Sequence, residues 1–355
     1  MYPLPMSGPP SKLASTLRKL GVSLGSMVVL LLVLEVGFRI FDHDTTLTLD
    51  LDPELYWFPR PDQTSAMTRI NTLGLRGPET KEKDPSKFRF LATGDSFTYG
   101  DHVVTDESWP IQLNVLLNKE GATHPGDGKP VEVLNGGGPG WGIFQMDRYL
   151  RRAIPKFAPD VVFWTITPID IYRQPFSEKE LAAYMKLQER RKRLRDTSAF
   201  LTFMARRVAR MQTGKRAVPN ERPAETADKS ALWAADSDRI RKLTADFSGK
   251  TRIVLLVLQD FSQEHDWVAE QARALATELK IDYFDLGPAY VGADKKVLHV
   301  PGDGHPNREG HAITAKALAG MMCDRGLACA PGASPALKAD GDGVKPPSPA
   351  AAGTP

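Results

Sequence analysis

The chain has 355 residues, of which 41% are hydrophobic and 25% are charged. These values are ordinary for a globular protein, and the length leaves room for one α/β domain with additional segments. The formal net charge of +3 is small, whereas binding to nucleic acid calls for a clustered basic surface. We therefore expect no nucleic-acid partner.

The N-terminal segment predicts the compartment. An apolar run begins at Leu20 and continues past Glu35 to Phe41, which is long enough to cross a bilayer as a helix. Basic residues precede the run and acidic residues follow it: Lys12, Arg18 and Lys19 before, and Asp42, Asp44, Asp50 and Asp52 after. This asymmetry predicts a cytoplasmic tail over 1–19 and a single-pass inner-membrane anchor over 20–41, with a periplasmic body. A cleaved signal peptide and a buried core helix are the alternatives.

The body of the chain predicts an α/β fold. Residues 42–86 are interpreted as a linker that becomes an ordered strap around 69–77. Short, almost wholly apolar runs then predict strands at 88–93, 131–134, 160–166, 252–258 and 281–285. Helical patterns follow them at 108–119, 144–156, 235–247, 264–279 and 308–322. This alternation predicts a parallel sheet with helices on both faces, in a domain over 87–330.

An insertion over about 171–250 interrupts this pattern after the third strand. Residues 176–212 are helix-prone and charged, and residues 216–229 are interpreted as a loop. Because it leaves the strand beside the expected active site, it is a candidate lid, membrane-facing platform or oligomer contact, with a decorative hairpin as the alternative. Its basic run at 189–195 is interpreted as a solvated helix face, with an anionic partner such as lipid headgroups as the alternative.

The two cysteines, Cys323 and Cys329, are separated by five residues near the end of the domain. In an exported body this spacing favours a local disulfide, and it matches no zinc-binding pattern. We therefore expect no zinc site at these cysteines, and we predict no cofactor for the chain. The low-complexity tail over 331–355 is predicted to be disordered.

Ser96 is the candidate nucleophile. It follows the first predicted strand in a Gly94-Asp95-Ser96 turn, which places its hydroxyl at the carboxyl end of the sheet. His305 follows the fifth strand and is the candidate base, with Asp303 as the group that orients it. The alternative is that Asp303 only forms a turn. The combination predicts a serine hydrolase or acyltransferase.

The sequence also predicts roles for other polar and aromatic residues. A glycine-rich segment at 135–140 offers backbone N–H groups to an oxyanion, or is a flexible turn. Three tryptophans are interpreted as core or pocket lining, and Trp141 is the best of them for substrate contact; they are Trp109, Trp141 and Trp164. Three histidines without a partner pattern are interpreted as surface residues: His102, His124 and His265.

The chain from about residue 69 to 322 resembles the SGNH, or GDSL-type, hydrolases, and in particular their membrane-anchored bacterial members. The matching blocks are Gly94-Asp95-Ser96-Phe97, Asn135-Gly136-Gly137 and Asp303-Gly304-His305-Pro306-Asn307. The resemblance implies a flavodoxin-like three-layer α/β/α sandwich with a five-stranded parallel sheet, ester or acyl chemistry and no metal. It implies that Ser96 is the nucleophile, that His305 is the base, and that the N–H groups of Ser96 and Gly137 bind the oxyanion.

The chain departs from the family pattern in two places. The third block of the family is Gly-x-Asn-Asp; Asp170 matches its Asp, but Ile169 stands where the oxyanion-binding Asn is expected. Loss of one such donor typically costs on the order of 10²–10³ in rate. Thr167 or Asn135 is a candidate substitute. The second departure is that Asp303 precedes the histidine by two positions rather than three.

These observations predict a serine esterase or deacylase. Its expected substrate is an ester, with an O-acetyl group as one candidate, of an extracytoplasmic glycan, lipid or small molecule. One alternative is an O-acyltransferase of exported polysaccharide. The other is a binding protein that keeps the fold without catalysis. The sequence leaves the oligomeric state open.

Overall fold

The computed structural model describes residues 12–41, 49–119, 121–213, 228–261, 265–294, 297–301 and 303–329. Several predicted segments lie wholly or partly outside these residues: the N-terminal tail, the start of the linker, most of the polar loop and the C-terminal tail. The chain forms two compact units. The first joins residues 1–46 with 182–217, and the second joins 47–181 with 218–355.

The helices and strands are numbered in chain order. The helices are α1 (Lys12–Phe41), α2 (Ser96–Tyr99), α3 (Trp109–Lys119), α4 (Ile143–Phe157), α5 (Glu178–Thr197), α6 (Ala199–Thr213), α7 (Lys229–Asp246), α8 (His265–Leu279) and α9 (Arg308–Asp324). The strands are β1 (Leu49–Asp52), β2 (Tyr56–Pro59), β3 (Gln63–Thr64), β4 (Arg69–Ile70), β5 (Phe88–Thr93), β6 (Val131–Asn135), β7 (Val161–Ile166), β8 (Arg252–Val257) and β9 (Asp282–Asp285).

A five-stranded parallel sheet lies at the centre of the second unit, in the order β6-β5-β7-β8-β9. Leu91 of β5 pairs with Leu134 on one side and with Val162 on the other, so β5 is a central strand. Helix α3 packs with α9, while α4 and α8 each pack with α7. This arrangement confirms the predicted α/β fold with a five-stranded parallel sheet.

The strands are apolar because both faces of the sheet are covered. All six residues of β7 are buried, from Val161 to Ile166. Burial of apolar residues such as these stabilises the fold, since apolar area removed from water contributes roughly 25 cal/mol per Å². The core residues Phe90, Phe163 and Phe284 come from three different strands.

Two elements begin earlier than the sequence predicts. Helix α7 begins at Lys229 rather than at 235, because the Asp228 carboxylate accepts hydrogen bonds from the N–H groups of Ser230 and Ala231 and caps the helix. The strap is ordered from Leu49, where β1 and β2 form an antiparallel hairpin. The apolar pattern of the sequence does not predict this hairpin, because its strands have only four residues each.

The two cysteines are joined as the sequence predicts. Cys323 near the end of α9 forms a disulfide with Cys329. The bond closes the chain segment that follows the last helix of the second unit. It therefore fixes the end of the folded domain locally, since only a short loop is closed.

Candidate active site

The chain around Ser96 is tightly constrained. Gly94 lies so close to β7 that a Cβ atom there would overlap the Thr165 hydroxyl, so only glycine fits this turn. The Asp95 carboxylate accepts a hydrogen bond from the N–H of Phe97 at 2.9 Å and caps α2, which begins at Ser96. Gly100 ends α2 with a φ of 89°, in the left-handed region that favours glycine. The strand and both turns therefore fix the position of the Ser96 hydroxyl.

Ser96, His305 and Asp303 form a continuous hydrogen-bonded chain. The Ser96 Oγ atom lies 2.7 Å from Nε2 of His305. The other ring nitrogen, Nδ1, makes a short hydrogen bond with Oδ1 of Asp303, and the backbone N–H of His305 donates to the same oxygen at 3.1 Å. Asp303 therefore holds the imidazole in the orientation that leaves Nε2 facing the serine. The two-residue spacing, which departs from the family pattern, preserves this contact.

The pKa values of His305 and Asp303 suit a general base and the carboxylate that supports it. Burial alone would lower the pKa of His305, but the hydrogen bond and negative charge of Asp303 outweigh it and raise the pKa above its ordinary value. The hydrogen bond with His305 in turn holds the pKa of Asp303 well below its usual range. Asp303 thus stays ionised, and it stabilises the imidazolium that forms when His305 takes a proton.

His102 joins this group, although the sequence suggested a surface residue without a partner. Its Nε2 atom lies 3.4 Å from Oδ2 of Asp303, the oxygen that does not contact His305. Its backbone φ is 67°, which is uncommon for a non-glycine residue and is often found at functional sites. The two imidazole rings are 5.2 Å apart in an edge-to-face arrangement. Asp303 is therefore held by two histidines.

The other two histidines that the sequence predicts to be surface residues without partners also have partners. His265 is almost fully buried, and its Nε2 atom lies 2.7 Å from Oδ1 of Asp285. His124 pairs with Asp127 at 2.9 Å. The surface interpretation is therefore wrong for His265 and incomplete for His124. Asp127 lies only three positions from His124, so this local ion pair has a signal in the sequence.

Arg76 is a buried residue that the sequence analysis did not single out. Its guanidinium donates to the carbonyl of Val103 at 2.7 Å and to that of Tyr99 at 2.6 Å, and it makes a short hydrogen bond with the carbonyl of Gly100. These carbonyls flank His102 on both sides. Arg76 therefore connects the strap to the loop that carries His102. The sequence gives no signal for this role, since an arginine between Leu75 and Gly77 is not distinctive.

The glycine-rich segment lies against α2, but its donors are already engaged. The Gly137 N–H donates to Oδ1 of Asn135 at 3.1 Å, and a Cβ atom on Gly137 would overlap the backbone of Tyr99. The Asn135 amide donates to the carbonyl of Tyr99 at 3.2 Å and is buried. The side chain of Asn135 thus supports the backbone of α2 and of its own loop. The expectation that it reaches an oxyanion is not met by this geometry.

Thr167 and Asp170 belong to a buried polar cluster. The Thr167 hydroxyl donates to Oδ2 of Asp95 at 3.3 Å, so it is directed away from the role of substitute oxyanion donor. The Nη1 atom of Arg173 lies 2.8 Å from Asp95 and 3.0 Å from Asp170. Burial, together with the negative charge of Asp95, raises the pKa of Asp170 well above its ordinary range. This cluster connects the nucleophile turn to the end of β7, where Ile169 remains partly exposed.

Trp141 is a core residue and not a substrate contact. Its side chain is fully buried, and its indole N–H donates to the carbonyl of Trp57 at 3.2 Å. The indole of Trp57 in turn donates to the carbonyl of Pro139 at 2.7 Å. The two tryptophans therefore fasten the β1–β2 hairpin onto the glycine-rich segment. Trp109 and Trp164 are also buried, as the core interpretation predicts.

One group of possible metal ligands occurs among the described residues. Ligand atoms of His102, Asp303 and His305 lie within 4.8 Å of one another. Both ring nitrogens of His305 already make hydrogen bonds, to Ser96 and to Asp303. A metal bound there would break the hydrogen bonds through which His305 activates Ser96. We therefore assign the group to proton transfer and to the positioning of the imidazole.

Comparisons with known proteins identify a family for this chain. The model of the GDSL-like lipase/acylhydrolase family matches residues 92–313, which span Ser96 and His305. A search of curated proteins finds no match. Similar solved structures include a mutant acetyl-xylooligosaccharide esterase from Geobacillus stearothermophilus, with 15% identity, a TM-score of 0.43, and coverage of 70% of this chain and 96% of that chain.

Another similar structure is a lipase/acylhydrolase from Enterococcus faecalis, with 12% identity, a TM-score of 0.41, and coverage of 67% of this chain and 96% of that one. These structural likenesses are distant, and no substrate is inferred from them. The family match covers more than half of the sequence and includes the nucleophile and the base. On this evidence the chain belongs to the GDSL-like lipase/acylhydrolase family.

Proposed function

We propose that the protein is a membrane-anchored serine esterase that removes small acyl groups from an extracytoplasmic glycan, lipid or small molecule. The observation that carries the proposal is the hydrogen-bonded chain from Ser96 through His305 to Asp303. A serine hydroxyl is scarcely ionised at neutral pH, so it needs an adjacent base to attack a carbonyl. This geometry supplies that base and the carboxylate that orients it.

In the proposed acylation step, Ser96 Oγ attacks the acyl carbonyl carbon while its proton moves to Nε2 of His305. The tetrahedral intermediate collapses, the ester C–O bond breaks, and His305 returns the proton to the departing alcohol. A water molecule then attacks the acyl-enzyme, with His305 again taking and returning a proton. The carboxylic acid leaves, and Ser96 is restored.

The oxyanion has fewer side-chain donors than the family pattern provides. The Ser96 N–H, in the first turn of α2, is the proposed main donor. The Gly137 N–H is the second, and it would share its hydrogen between Asn135 and the oxyanion. Ile169 cannot donate a hydrogen bond. It is the observation that favours the second candidate function, a binding protein that keeps the fold without efficient catalysis.

The exposure of Ser96 supports a small acyl group. The residue is only 4% exposed, so a bulky acyl chain would have to displace its neighbours before the carbonyl reached Oγ. An acetyl ester places the least volume next to the nucleophile. We therefore propose an O-acetyl ester as the first candidate substrate.

Two features support an extracytoplasmic location. One helix, over Ser15–Ile40, is long and apolar enough to cross a membrane, with a mean hydropathy of 2.2 in its most apolar window and none of that window buried. Lys12, Arg18 and Lys19 lie at the N-terminal end of this helix, and this positive charge supports a cytoplasmic N-terminus and a body outside. The Cys323–Cys329 disulfide also suits an oxidising compartment.

A series of p-nitrophenyl esters tests this proposal with the full chain in detergent. We expect acetate to be hydrolysed faster than butyrate and octanoate, and the activity to be lost in Ser96→Ala. Equal or faster hydrolysis of octanoate would contradict the small-acyl assignment. Release of p-nitrophenol only when a sugar acceptor is added would identify an acyltransferase, and no reaction with any ester would favour the binding protein.

A further inference from the structure

Helix α1 exposes apolar side chains along its length. Leu31 is 45% exposed, Val36 is 56% exposed and Ile40 is 64% exposed. Apolar surface of this extent is unfavourable in water, and a bilayer removes it from water without a protein partner. In the last two turns of α1 one side of the helix is an exception, because there Glu35 and Phe38 contact α6.

The contact between α1 and α6 combines aromatic packing with a helix cap. The ring of Phe38 lies 4.5 Å from that of Phe203 and 5.6 Å from that of Phe200. The Glu35 carboxylate accepts hydrogen bonds from the Ser198 hydroxyl at 2.6 Å and from the Ala199 N–H at 2.9 Å. Glu35 thus satisfies backbone donors at the start of α6, as a capping residue does. The start of α6 is therefore fixed beside the end of the apolar helix.

Helix α6 carries an apolar stripe of its own. Leu201, Met204 and Val208 follow one another at intervals of three and four residues, so they share one face of the helix. They are 50%, 43% and 46% exposed respectively. Because the start of α6 lies against the last turns of α1, this stripe begins next to the apolar surface of α1. The two apolar surfaces are thus continuous.

The charge of α6 indicates which surface would cover the stripe. Its sequence includes three arginines at 206, 207 and 210 and has no acidic residue. An amphipathic helix with arginine on its polar side binds at the interface of membranes that contain anionic lipids. A protein partner would also cover apolar residues, but continuity with α1 favours lipid.

We propose that α6 lies in the interface of the membrane that α1 spans, with its apolar stripe among the acyl chains and Arg207 among anionic headgroups. The proposal rests on the membrane anchor of the proposed function and assigns α6, within the insertion, to lipid binding. Glu35 has a positioning role, because it holds the start of α6 at the end of the membrane-spanning helix.

Depth-dependent quenching in vesicles tests this proposal. The full chain is reconstituted into phosphatidylcholine/phosphatidylglycerol vesicles with an environment-sensitive fluorophore on a single introduced cysteine, the native pair being joined in a disulfide. The test positions are Met204→Cys and Val208→Cys. Leu31→Cys is the control for membrane insertion, and Ala183→Cys, on an exposed position of α5, is the control for water.

We expect lipids with a spin label near the headgroup to quench the labels at 204 and 208 at least about twice as strongly as the label at 183, since an interfacial helix lies ~5–10 Å deep. Glu35→Ala should reduce quenching at 204, and Glu35→Gln should reduce it less. Quenching at 31 without quenching at 204 and 208 would overturn the interfacial helix and leave the anchor intact.

Two further outcomes would also overturn the proposal. No quenching at 31 would remove the anchor on which it rests. Labels at 204 and 208 protected from both the lipid quencher and aqueous iodide would show that protein, such as a second copy of the chain, covers the stripe. Hydrolysis of p-nitrophenyl acetate by the same vesicles reports on the esterase separately, so failure of the two proposals can be distinguished.

Discussion

The Nε2 atom of His102 lies 3.4 Å from Oδ2 of Asp303. The other oxygen of that carboxylate binds Nδ1 of His305. Asp303 lies on a partly exposed loop, and two histidines on opposite oxygens limit its rotation. His102 therefore acts through Asp303, as a positioning residue for the base.

Replacing His102 should weaken activity only modestly. The side chains of His102 and Asp303 are 42% and 37% exposed, and exposed ion pairs contribute roughly 0.2–1 kcal/mol. We therefore expect kcat/KM for p-nitrophenyl acetate to fall by up to about fivefold in His102→Gln. His124→Gln, which removes a histidine paired elsewhere, is the matched control. A loss of a hundredfold or more would instead give His102 a direct part in the chemistry.

The pH profile should depend on Asp303. His305 must be neutral to act as a base, so kcat/KM should rise with pH as its proton is lost. Because Asp303 raises the pKa of His305, the wild-type midpoint should lie above the ordinary histidine value of about 6.5. In Asp303→Asn, His305 remains buried but the negative charge beside it is lost, so the midpoint of the kcat/KM profile should move to lower pH. The maximum rate should also fall on the order of 10⁴-fold. An unchanged midpoint would contradict the assignment of Asp303.

Ile169→Asn tests whether a missing oxyanion donor limits the rate. Ile169 is at the position of the family asparagine and is partly exposed beside the nucleophile turn. One oxyanion donor is typically worth on the order of 10²–10³ in kcat, so we expect a gain in kcat that approaches this size. Ile169→Leu should leave the rate near that of the wild type. A loss of activity in the asparagine variant, with the fold intact, would show that another group already fills the role.

The buried carboxylate pair should affect stability. Asp170 has a raised pKa in the folded chain, so between the ordinary value of about 4 and the raised value the folded state binds the extra proton. Stability should therefore fall as pH rises through this range, by up to about 1.4 kcal/mol per pH unit. Asp170→Asn removes this dependence, so its stability relative to the wild type should increase with pH. Urea unfolding at several pH values measures the difference, with the exposed Asp266→Asn as control.

Parallel dependence on pH in the wild type and in Asp170→Asn would show that Asp170 is already ionised when folded. Asp266→Asn should follow the wild type throughout.

Much of the fold follows from local pattern. The run from Val161 to Ile166 predicts a strand because five of its six residues are apolar, and the structure buries all six. The positions of Ser96 and His305 follow as well, since Ser96 comes soon after β5, His305 lies in the connection that follows β9, and the carboxyl ends of these parallel strands share one edge. The hairpin over residues 49–59 does not follow, because each of its strands has only four residues, too few for a periodic pattern to be recognised.

The rest of the site depends on contacts between distant segments. His102 meets Asp303 across 201 positions of the chain, and no spacing rule relates them. Arg76 is buried only because three loop carbonyls converge on it. Trp141 was a candidate for substrate contact from its place after the glycines, but the strap covers it. These features need the fold before they can be recognised.

Labelling with a fluorophosphonate probe tests the central claim most directly. The probe reacts with a serine only when a neighbouring base activates it, and it needs no knowledge of the natural substrate. We expect one adduct on the wild-type chain, at Ser96 by peptide mass spectrometry, with none in Ser96→Ala and much slower labelling in His305→Ala. A folded wild-type chain that is not labelled, or that is labelled equally in Ser96→Ala, would contradict the account.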